Sequence, residues 1–337
     1  MLLTHKNKNI SHLVKKIVWS GSRLQVARKL VFEYVQDKRD SNLPVLVINL
    51  GETIRGYDEE KNLIFRGNVY AVEKDVQSSK ITVTAYDNLF ILSKFKTTKK
   101  FVKMLPADIV KAVCKEMGVG VGILANPGVR VSFIAHQKTG YQIIMMSYTE
   151  AKKKTGKKYH PIMLDNKLHI IEKGTLIEGY EADHAKNTKN SQYKESIENM
   201  VNQVLITDEQ GNKKGLEKKK EWIEKYSMIQ EVYRTSPKEN TQENVKNMFK
   251  GPERSGVLEL LGDYRVKAPY SLKVKDSLFT GRFWIKSDSH VFENGIHEMK
   301  LELEFENLMN EEKISDSEKI KADKKKKVKS DDKNTKR

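Results

Sequence analysis

The dipeptide His297-Glu298 is the part of this sequence most similar to a catalytic motif. It begins like the HExxH motif of zinc metalloproteases, in which two histidines bind the metal and the glutamate acts as general base. That motif needs a second histidine at position 301 on a helix, but Leu301 stands there and the segment alternates like a strand. The sequence therefore predicts no zinc site. We interpret the eight histidines as surface or packed residues: His5, His12, His136, His160, His169, His184, His290 and His297.

Two glycine-containing segments resemble phosphate-binding loops. Residues 120–125, GVGILA, fit the loose GxGxxA form of a dinucleotide-binding fingerprint, which requires a strand before the glycines and a helix after them. Here a predicted helix comes before, and Asn126-Pro127-Gly128 follows. Gly156-Lys157-Lys158 lacks the earlier glycine and the hydroxyl residue of a P-loop. Both segments are interpreted as connectors, and no cofactor is predicted.

The sequence also lacks an obvious nucleophile or acid–base pair. The single cysteine, Cys114, lies in VKAVCKEMG, where helical spacing predicts a buried apolar residue, and it excludes an internal disulfide. There is no GxSxG elbow. The adjacent pairs Glu59-Glu60 and Glu311-Glu312 are interpreted as solvated charges in turns or tails. We therefore predict no catalytic, cofactor-binding or metal-binding residues and no enzymatic activity.

Length and composition indicate a multidomain chain with a moderately basic surface. It has 337 residues, enough for two or three domains, with 38% hydrophobic and 32% charged residues. The longest apolar run, 117–125, is about half of a membrane span, so no membrane association is predicted. The N-terminal residues lack a signal-peptide pattern, which predicts synthesis in the cytoplasm. The net charge is +17, of which residues 313–337 carry +6.

Short strands at regular spacing predict a first β-domain over residues 1–98, a tube-like, mostly antiparallel barrel of about six strands. Residues 19–22, WSGS, are predicted to form a turn, and a strand led by Pro44 is expected next. Glu33 should point away from the core. The apolar faces of two strands are predicted to consist of Leu30, Phe32 and Tyr34, and of Ile81, Val83 and Ala85.

Helical spacing predicts a small α+β domain over residues 99–174. Pro106 opens a helix that Gly118 ends. A strand over 129–135 leads to a second helix over 139–154, which ends in several lysines. The predicted buried residues of the two helices are Ile109, Val110, Val113, Cys114 and Met117, and Ile143, Ile144, Met145 and Met146. A hairpin of residues 159–164 and 167–172 completes this domain.

Residues 175–312 are predicted to form a second β-barrel with a helical insertion. A hairpin is expected to start at residues 202–207, with its pairing interrupted by the charged residues 213–224, and a helix is expected over 241–250 after Pro237. Residues 313–337 are predicted to be a flexible basic tail. The final strand should bury Met299, Leu301, Leu303 and Phe305 and expose Glu298, Lys300, Glu302, Glu304 and Glu306.

The order of these segments resembles the XkdQ/YqbQ family of PBSX-type prophages. Members of that family are baseplate hub proteins of contractile phage tails and R-type tail-like bacteriocins, distantly related to myophage hubs and VgrG proteins. The resemblance starts with WSG, QVARKLVF, the proline-led strand, Leu50-Gly51-Glu52, LIFRGNVY and ITVTAYDNLF. It continues through PADIVKAVCKEMG, the helix ending TGKKYH, ENMVNQVLITDEQGN and HVFENGIHEMKLELEFE.

The resemblance implies an α+β fold with two tube-like barrels around a small α+β domain. It also implies a homotrimeric ring that joins a sixfold tail tube, or a LysM tail protein, above to a threefold spike below. The end of the tape-measure protein would lie in the lumen, baseplate wedge proteins would contact the outside, and DNA would pass through the lumen transiently. The protein would leave the cytoplasm as part of the virion or tail-like particle, which is either an infectious phage or a DNA-free bacteriocin.

Two alternative functions remain open from the sequence. A tail-associated cell-wall hydrolase would need its own carboxylate or Cys/His constellation, and the sequence shows none. A basic nucleic-acid-binding protein is compatible with the charge, but no helix-turn-helix, RNP or zinc-finger spacing accompanies it.

Overall fold

The first region of the chain is almost entirely β-structure. The computed structural model describes residues 1–36, 45–236 and 240–320. Apolar and polar side chains alternate along the strands of this region, so each strand can bury one face. These strands are β1 Leu2–His5, β2 Lys8–Asn9, β3 Val14–Ser22, β4 Lys29–Val35, β5 Thr53–Tyr57, β6 Leu63–Asp75 and β7 Lys80–Asp87.

The middle region mixes helices with short strands around one core. A 3₁₀ turn, Ser11–Leu13, lies in the first region, and the middle region begins directly after β7. Its elements are α1 Leu89–Lys94, β8 Lys96–Met104, α2 Pro106–Met117, β9 Val121–Leu124, β10 Val131–Thr139, α3 Gly140–Thr155, β11 Tyr159–Leu164 and β12 Lys167–Glu172.

The last region returns to β-structure and contains an insertion with two helices. A second 3₁₀ turn, Asp316–Glu318, follows it. Within the described ranges, no helix combines the length and the apolar composition needed to cross a membrane. The elements are β13 Leu176–Asp183, β14 Thr188–Ser196, β15 Gln203–Thr207, β16 Lys213–Lys218, α4 Lys220–Tyr226, β17 Gln230–Arg234, α5 Thr241–Met248, β18 Glu253–Leu261, β19 Ser271–Lys275, β20 Thr280–Glu293 and β21 Ile296–Glu304.

Thirteen of the described strands form one continuous sheet that runs through the first and last regions. Their order is β14-β18-β21-β20-β3-β4-β7-β6-β5-β1-β2, with β19 also paired to β20 and β13 paired to β19. The pairs in this sheet are antiparallel except β13 with β19. The predicted α+β class with mostly antiparallel strands is confirmed. The arrangement as two barrels stays a prediction.

The two regions meet at the pairing of β3 with β20, which we call the seam. It runs from Ser22 opposite Ser287 to Lys16 opposite Glu293. β20 is long enough to pair with β19 through its first half and with β3 through its second half. The seam therefore makes the first and last regions parts of one hydrogen-bonded structure.

Each region has its own apolar core. The inward faces of β4 and β7 are buried as predicted, with Glu33 on the other side. The core of the first region includes Leu30, Phe32, Tyr34, Ile81, Val83 and Ala85. The core of the last region includes Leu258, Leu260, Ile285, Met299, Leu301 and Leu303. The middle core is built on α2 and α3 and includes the residues predicted from helical spacing.

The predicted turn at residues 19–22 is wrong. These residues lie inside β3, and Trp19 is fully buried. Gly21 does not serve a turn but a close approach, because a Cβ there would lie 2.4 Å from Nη1 of Arg28. Pro44 lies outside the described residues, and residues 45–49 that follow it are not part of a strand, although Leu46 and Ile48 are buried.

Both predicted helices of the middle region are confirmed. Pro106 occupies the first turn of α2, and Gly118 ends it in the left-handed conformation with φ of 67°. Thr139 caps α3 in a capping box: its Oγ1 accepts from the Gln142 N–H, and the Gln142 side chain accepts from the Thr139 N–H. The predicted strand over 129–135 is observed later, as β10, and the predicted hairpin is observed as β11 and β12.

The insertion differs from the prediction in one respect. The charged residues 213–218 do not end the hairpin, since β16 pairs with β15 from Lys213 to Lys218 with one irregularity at Lys214. Solvent covers most of β16, so its lysines and glutamate can point outward without a desolvation cost. The predicted helix after it is confirmed as α5, and Pro237 lies outside the described residues.

The final strand and the tail each need one correction. Met299, Leu301 and Leu303 are buried as predicted, but Glu304 is buried too, because it is held by buried cations described below. The predicted flexible tail is wrong for residues 314–319. Ile314 packs against the middle core, and Lys319 bridges to Phe133 of β10. Residues 321–337 lie outside the described residues.

Candidate functional site

The candidate functional site is a set of buried charges where the three regions meet. Arg28, in the loop between β3 and β4, is buried and points at Asp288 of β20. Its Nη1 donates to Oδ1 at 3.0 Å, and its Nη2 donates to Oδ2. The guanidinium carbon lies 4.1 Å from the centre of the Trp19 ring, so a cation–π contact adds to the ion pair. We call Arg28, Asp288, His290 and His297 the Arg28 cluster.

Asp288 is held in its charged form. Burial alone disfavours a carboxylate, but the Arg28 guanidinium and a hydrogen bond from His290 outweigh burial and lower the pKa of Asp288 to about 2. The backbone N–H of Ala268 also donates to its Oδ1 at 2.7 Å. Every contact of Asp288 therefore comes from a donor, and the group is ionised at neutral pH.

Two histidines extend this cluster on the hairpin β20–β21. Nε2 of His290 lies 2.9 Å from the Val266 carbonyl, which can only accept, so this nitrogen carries a proton. Nδ1 of His290 lies 3.0 Å from Nε2 of His297 and accepts from it when His290 is neutral. Burial and the neighbouring His290 lower the pKa of His297 to about 3. His297 therefore acts as a neutral hydrogen-bonding side chain.

Asp87, at the end of β7, is an acidic group whose pKa shifts in the opposite direction. Its Oδ2 accepts from the Arg28 N–H at 3.2 Å, and its Oδ1 accepts from the Leu89 N–H at 3.0 Å, at the start of α1. Burial dominates these contacts and raises the pKa of Asp87 to about 7. Asp87 thus joins the first region to the first helix of the middle region and carries a proton over part of the neutral range.

A second group of charges, which we call the Glu304 cluster, joins the middle and last regions. Arg23 Nε donates to Glu304 Oε1 at 2.7 Å, and Lys173 Nζ donates to Glu304 Oε2 at 3.3 Å. Burial lowers the pKa of Lys173 to about 8. Asn307 closes the cluster, since its Nδ2 donates to the Lys173 carbonyl at 3.0 Å and its own carbonyl accepts from Lys158.

His160 lies in the same buried environment. It is in β11, and burial together with the positive charges of Lys173, Arg23 and Arg28 lowers its pKa to about 3. His160 is therefore neutral at neutral pH and adds no further positive charge to this environment. His160 therefore feels charges from both clusters, which contain groups from all three regions.

This arrangement holds parts of the chain together. The crevice beside Arg28 and Asp87 leaves a volume of about 10 Å³, roughly the space of one water molecule and far below that of ordinary ligand pockets. Among the described residues, no group of three or more His, Cys, Asp or Glu side chains is arranged to hold a metal. The predictions of no catalytic residue, no cofactor and no metal stay predictions.

The residues examined as sequence motifs lie apart from these clusters, except His297. Cys114 is buried in α2, where burial raises the pKa of its thiol to about 12. Residues 120–125 include β9, and Gly156 ends α3 in the left-handed conformation, so neither forms a phosphate loop. Glu59 accepts from the Tyr264 hydroxyl, and Glu311 pairs with Lys152 on the surface.

Sequence reasoning did not identify Arg28, Asp288 or Asp87. One signal was present for Asp288 and His290. Both occupy inward positions of β20, between the buried Ile285 and Phe292, where a strand normally places apolar side chains. Two polar side chains at buried positions of a strand predict that hydrogen-bonding partners lie beside them in the interior.

The fold is shared with solved structures of tail proteins and of a related secretion-system protein. It is similar to the 43 kDa tail protein of prophage MuSo2 from Shewanella oneidensis, with a TM-score of 0.66, 14% identity and coverage of 90% of this chain and 97% of that one. It is also similar to the E. coli c3393 protein, described as a component of the type VI secretion system with structural similarity to the T4 bacteriophage tail proteins gp27 and gp5. That likeness has a TM-score of 0.53 and 8% identity, and covers 93% of this chain and 78% of that one.

The chain belongs to the YQBQ-like family, whose model matches residues 17–304. Two relatives come from Bacillus subtilis (strain 168). The uncharacterized protein YqbQ is 23% identical over 306 residues, which cover 86% of this chain and 92% of YqbQ. The phage-like element PBSX protein XkdQ is 22% identical over 316 residues, which cover 89% of this chain and 94% of XkdQ. The predicted family is confirmed.

Proposed function

We propose that this protein is the central hub of a contractile-tail baseplate, with a structural and non-enzymatic role. The observation that carries the proposal is the fold: one continuous sheet of thirteen strands, in an architecture shared with a prophage tail protein over 97% of that protein's chain. Membership of the YQBQ-like family supports it, since one relative is a protein of a phage-like element.

The sheet topology supports assembly into a homotrimeric ring. The main path of the sheet ends at β2 and at β14, and its branch through β19 ends at β13, so the described part of one copy has three terminal strands. Exposed edges pair readily with other chains, and a closed ring of identical copies covers them. Three copies with two β-regions each present six similar walls, which match a sixfold tail tube or LysM tail protein above and a threefold spike below.

The remaining partners follow from this position. The end of the tape-measure protein occupies the lumen, baseplate wedge proteins contact the outside, and DNA passes through transiently. The proposed domains are residues 1–98, 99–174 and 175–312. Buried clusters of charge around Arg28 and Glu304 support a fixed relation between them, as a ring between two symmetries requires.

The test is a cryo-electron microscopy map of the assembled baseplate. We expect three copies of the chain between tube and spike, each contributing a first and a last β-region to the ring wall. A different copy number, or a position outside the axis of the particle, contradicts the proposal. The alternatives of a cell-wall hydrolase or a nucleic-acid-binding protein receive no specific support from the described residues.

A further inference from the structure

The insertion between β14 and β18 carries a sheet of its own. β15 lies in its centre, with β16 antiparallel on one side and β17 parallel on the other. Among the described strands, none of the main sheet pairs with these three. The chain enters and leaves the insertion at Val201 and Lys250, whose backbones exchange hydrogen bonds of 3.0 and 3.1 Å. The insertion is therefore a small module attached to the end of the main sheet.

One face of this module, which we call the open face, is a grid of three rows: two follow the regular strand register, and the third follows an irregularity that leaves Lys214 without a partner in β15. The central row is apolar and consists of Leu216, Leu205 and Val232. A polar row lies on each side of it. These rows are Lys218, Gln203 and Gln230, and Lys213, Thr207 and Arg234.

The centre of the opposite face is covered, whereas on the open face the side chains of β16 and β17 are exposed and Gln203 and Thr207 of the central strand are buried. On the covered side, the Tyr233 hydroxyl accepts from the Asn244 side chain of α5 at 2.9 Å, and Val204 is fully buried. On the open face, Leu216 is 38% and Val232 is 49% exposed, and Met228, beside Gln203, is 62% exposed. These apolar side chains therefore gain from contact with another surface.

The charges on the open face are all positive. Lys213, Lys218 and Arg234 occupy three of the four corners, and none of them forms an ion pair with another described residue. The acidic residues Glu217 and Glu231 both pair with Val204 and so belong to the covered side. The module thus separates its charges between its two faces and leaves an apolar row framed by cations.

We propose that the open face binds an acidic segment of a protein partner, whose apolar side chains cover the central row while its carboxylates meet the corner cations. A second copy of this face is a poor partner because the corner cations of the two copies would repel each other. Residues 321–337 are also a poor occupant, because they carry nine Lys or Arg against three Asp. Nucleic acid fits less well, because the central row is aliphatic and offers no ring on which a base could stack. The inference does not depend on the hub assignment.

The experiment measures binding of a fluorescein-labelled peptide of alternating Glu and Leu to the full chain by fluorescence polarisation at 0.1 M salt. We expect saturable binding that weakens as salt rises. The double variant Leu216→Ser/Val232→Ser should bind about tenfold more weakly, and Lys218→Glu/Arg234→Glu should bind about tenfold more weakly and lose most of the salt dependence. A matched control is Lys74→Glu/Val76→Ser in the β6–β7 turn, where Val76 is 92% exposed, and it should bind normally.

Each other outcome overturns the proposal. These outcomes are absence of saturable binding, equal binding of a peptide with Lys in place of Glu, or no effect of the open-face variants. Tighter binding of a labelled DNA duplex assigns the face to nucleic acid instead. A concentration-dependent dimer lost in Leu216→Ser/Val232→Ser assigns it to a second copy. Melting curves of the variants test whether each remains folded, which is expected because every substituted side chain is exposed.

Discussion

At the residue scale, the stability of the fold depends on the buried ion pair between Arg28 and Asp288. Both groups are buried, so each has lost its hydration and depends on the other. Asp288→Asn keeps the shape but leaves the Arg28 guanidinium without a counter-charge. We expect the free energy of unfolding to fall by about 3–5 kcal/mol, measured by urea denaturation.

The matched control is an exposed ion pair of the same sheet, Lys300 with Glu259 at 3.1 Å. Glu259→Gln should cost less than about 1 kcal/mol because solvent screens this pair. The double variant Arg28→Met/Asp288→Leu should recover much of the loss, because no unpaired charge remains. An equal cost for Asp288→Asn and Glu259→Gln would contradict this account.

Asp87 makes stability depend on pH with a sign opposite to that of a usual aspartate. Its pKa is raised to about 7 in the folded chain, whereas the unfolded carboxyl titrates near its ordinary value, 3.8. Between these values the folded chain binds more protons, so the contribution of Asp87 is fully present below about pH 4 and is lost as pH rises through 7. We expect wild-type protein to lose stability relative to Asp87→Asn between pH 5 and 8.

The comparison with the variant is necessary because other groups act in the opposite direction. The pKa of His160 and of His297 is lowered from 6.5 to about 3 in the folded chain. Their contribution to stability is therefore present above pH 6.5 and is lost as the pH falls toward 3. Urea denaturation of both proteins at each pH isolates the effect of Asp87. A difference between wild type and variant that stays constant from pH 5 to 8 would show that Asp87 is ionised throughout.

The sequence allowed little of the buried charge to be predicted. Arg28 and Asp288 are distant in the chain, and their contact exists only because β3 pairs with β20. Local periodicity reports which face a residue takes, but not which strand lies beside it. Cys114 was predicted correctly as buried because its surroundings are set by one helix alone.

At the element scale, α3 gives the clearest test of local sequence. Thr139→Ala removes one half of its capping box and leaves the Gln142 N–H without its partner. We expect a loss of about 0.5–2 kcal/mol in the free energy of unfolding. Thr139→Ser should restore most of it, because serine offers the same oxygen. A Ser variant as unstable as the Ala variant would assign the effect to packing of the threonine methyl group.

Elements bounded by strong local signals were predicted well. Pro106 and Gly118 enclose α2, and Asp165-Asn166 form the turn between β11 and β12, both with positive φ. The predictions were wrong where the same residue type is common in two different structures. Gly21 resembled a turn residue, but it gives space to Arg28. The charged residues of β16 resembled a loop, but one well-exposed strand can carry them.

At the scale of the whole molecule, we expect the two halves of the C-terminal segment to differ in their contribution to stability. Ser315 caps the second 3₁₀ turn, and Glu318 pairs with Lys138 at 3.3 Å. Deleting residues 314–337 should therefore lower the melting temperature, whereas deleting residues 321–337, which have too few apolar residues to form a core, should leave it unchanged. Differential scanning fluorimetry of both truncations decides this. Equal melting temperatures for the two truncations would contradict the packing of residues 314–319.

The proposed structural role gives a second test at this scale. Purified protein should not clear peptidoglycan in a zymogram, because the buried acids are engaged with donors instead of facing a cleft. A known cell-wall hydrolase on the same gel is the positive control. Clearing by this chain, lost when one acidic residue is replaced, would refute a purely structural role.

The prediction of the whole molecule was right in class and family but did not include the seam. Alternation along β3 and β20 shows that each is a strand, yet nothing local states that they are neighbours. The sequence predicts two separate β-regions because helices lie between them in the chain. In the structure the two regions share one sheet, in which β3 is the neighbour of β20.

The seam also sets the time at which the protein can complete its folding on the ribosome. Lys16 of β3 has Glu293 as its partner, so nearly the whole chain must be translated before this edge is covered. At about 5–20 residues per second, the delay is roughly 14–55 s. During that interval β3 has one unpaired edge, which is the kind of surface that chaperones shield and that aggregates form on. Nascent chains arrested at residue 262 should therefore be cut by protease within β3, and chains arrested with residue 312 outside the ribosome should be protected there.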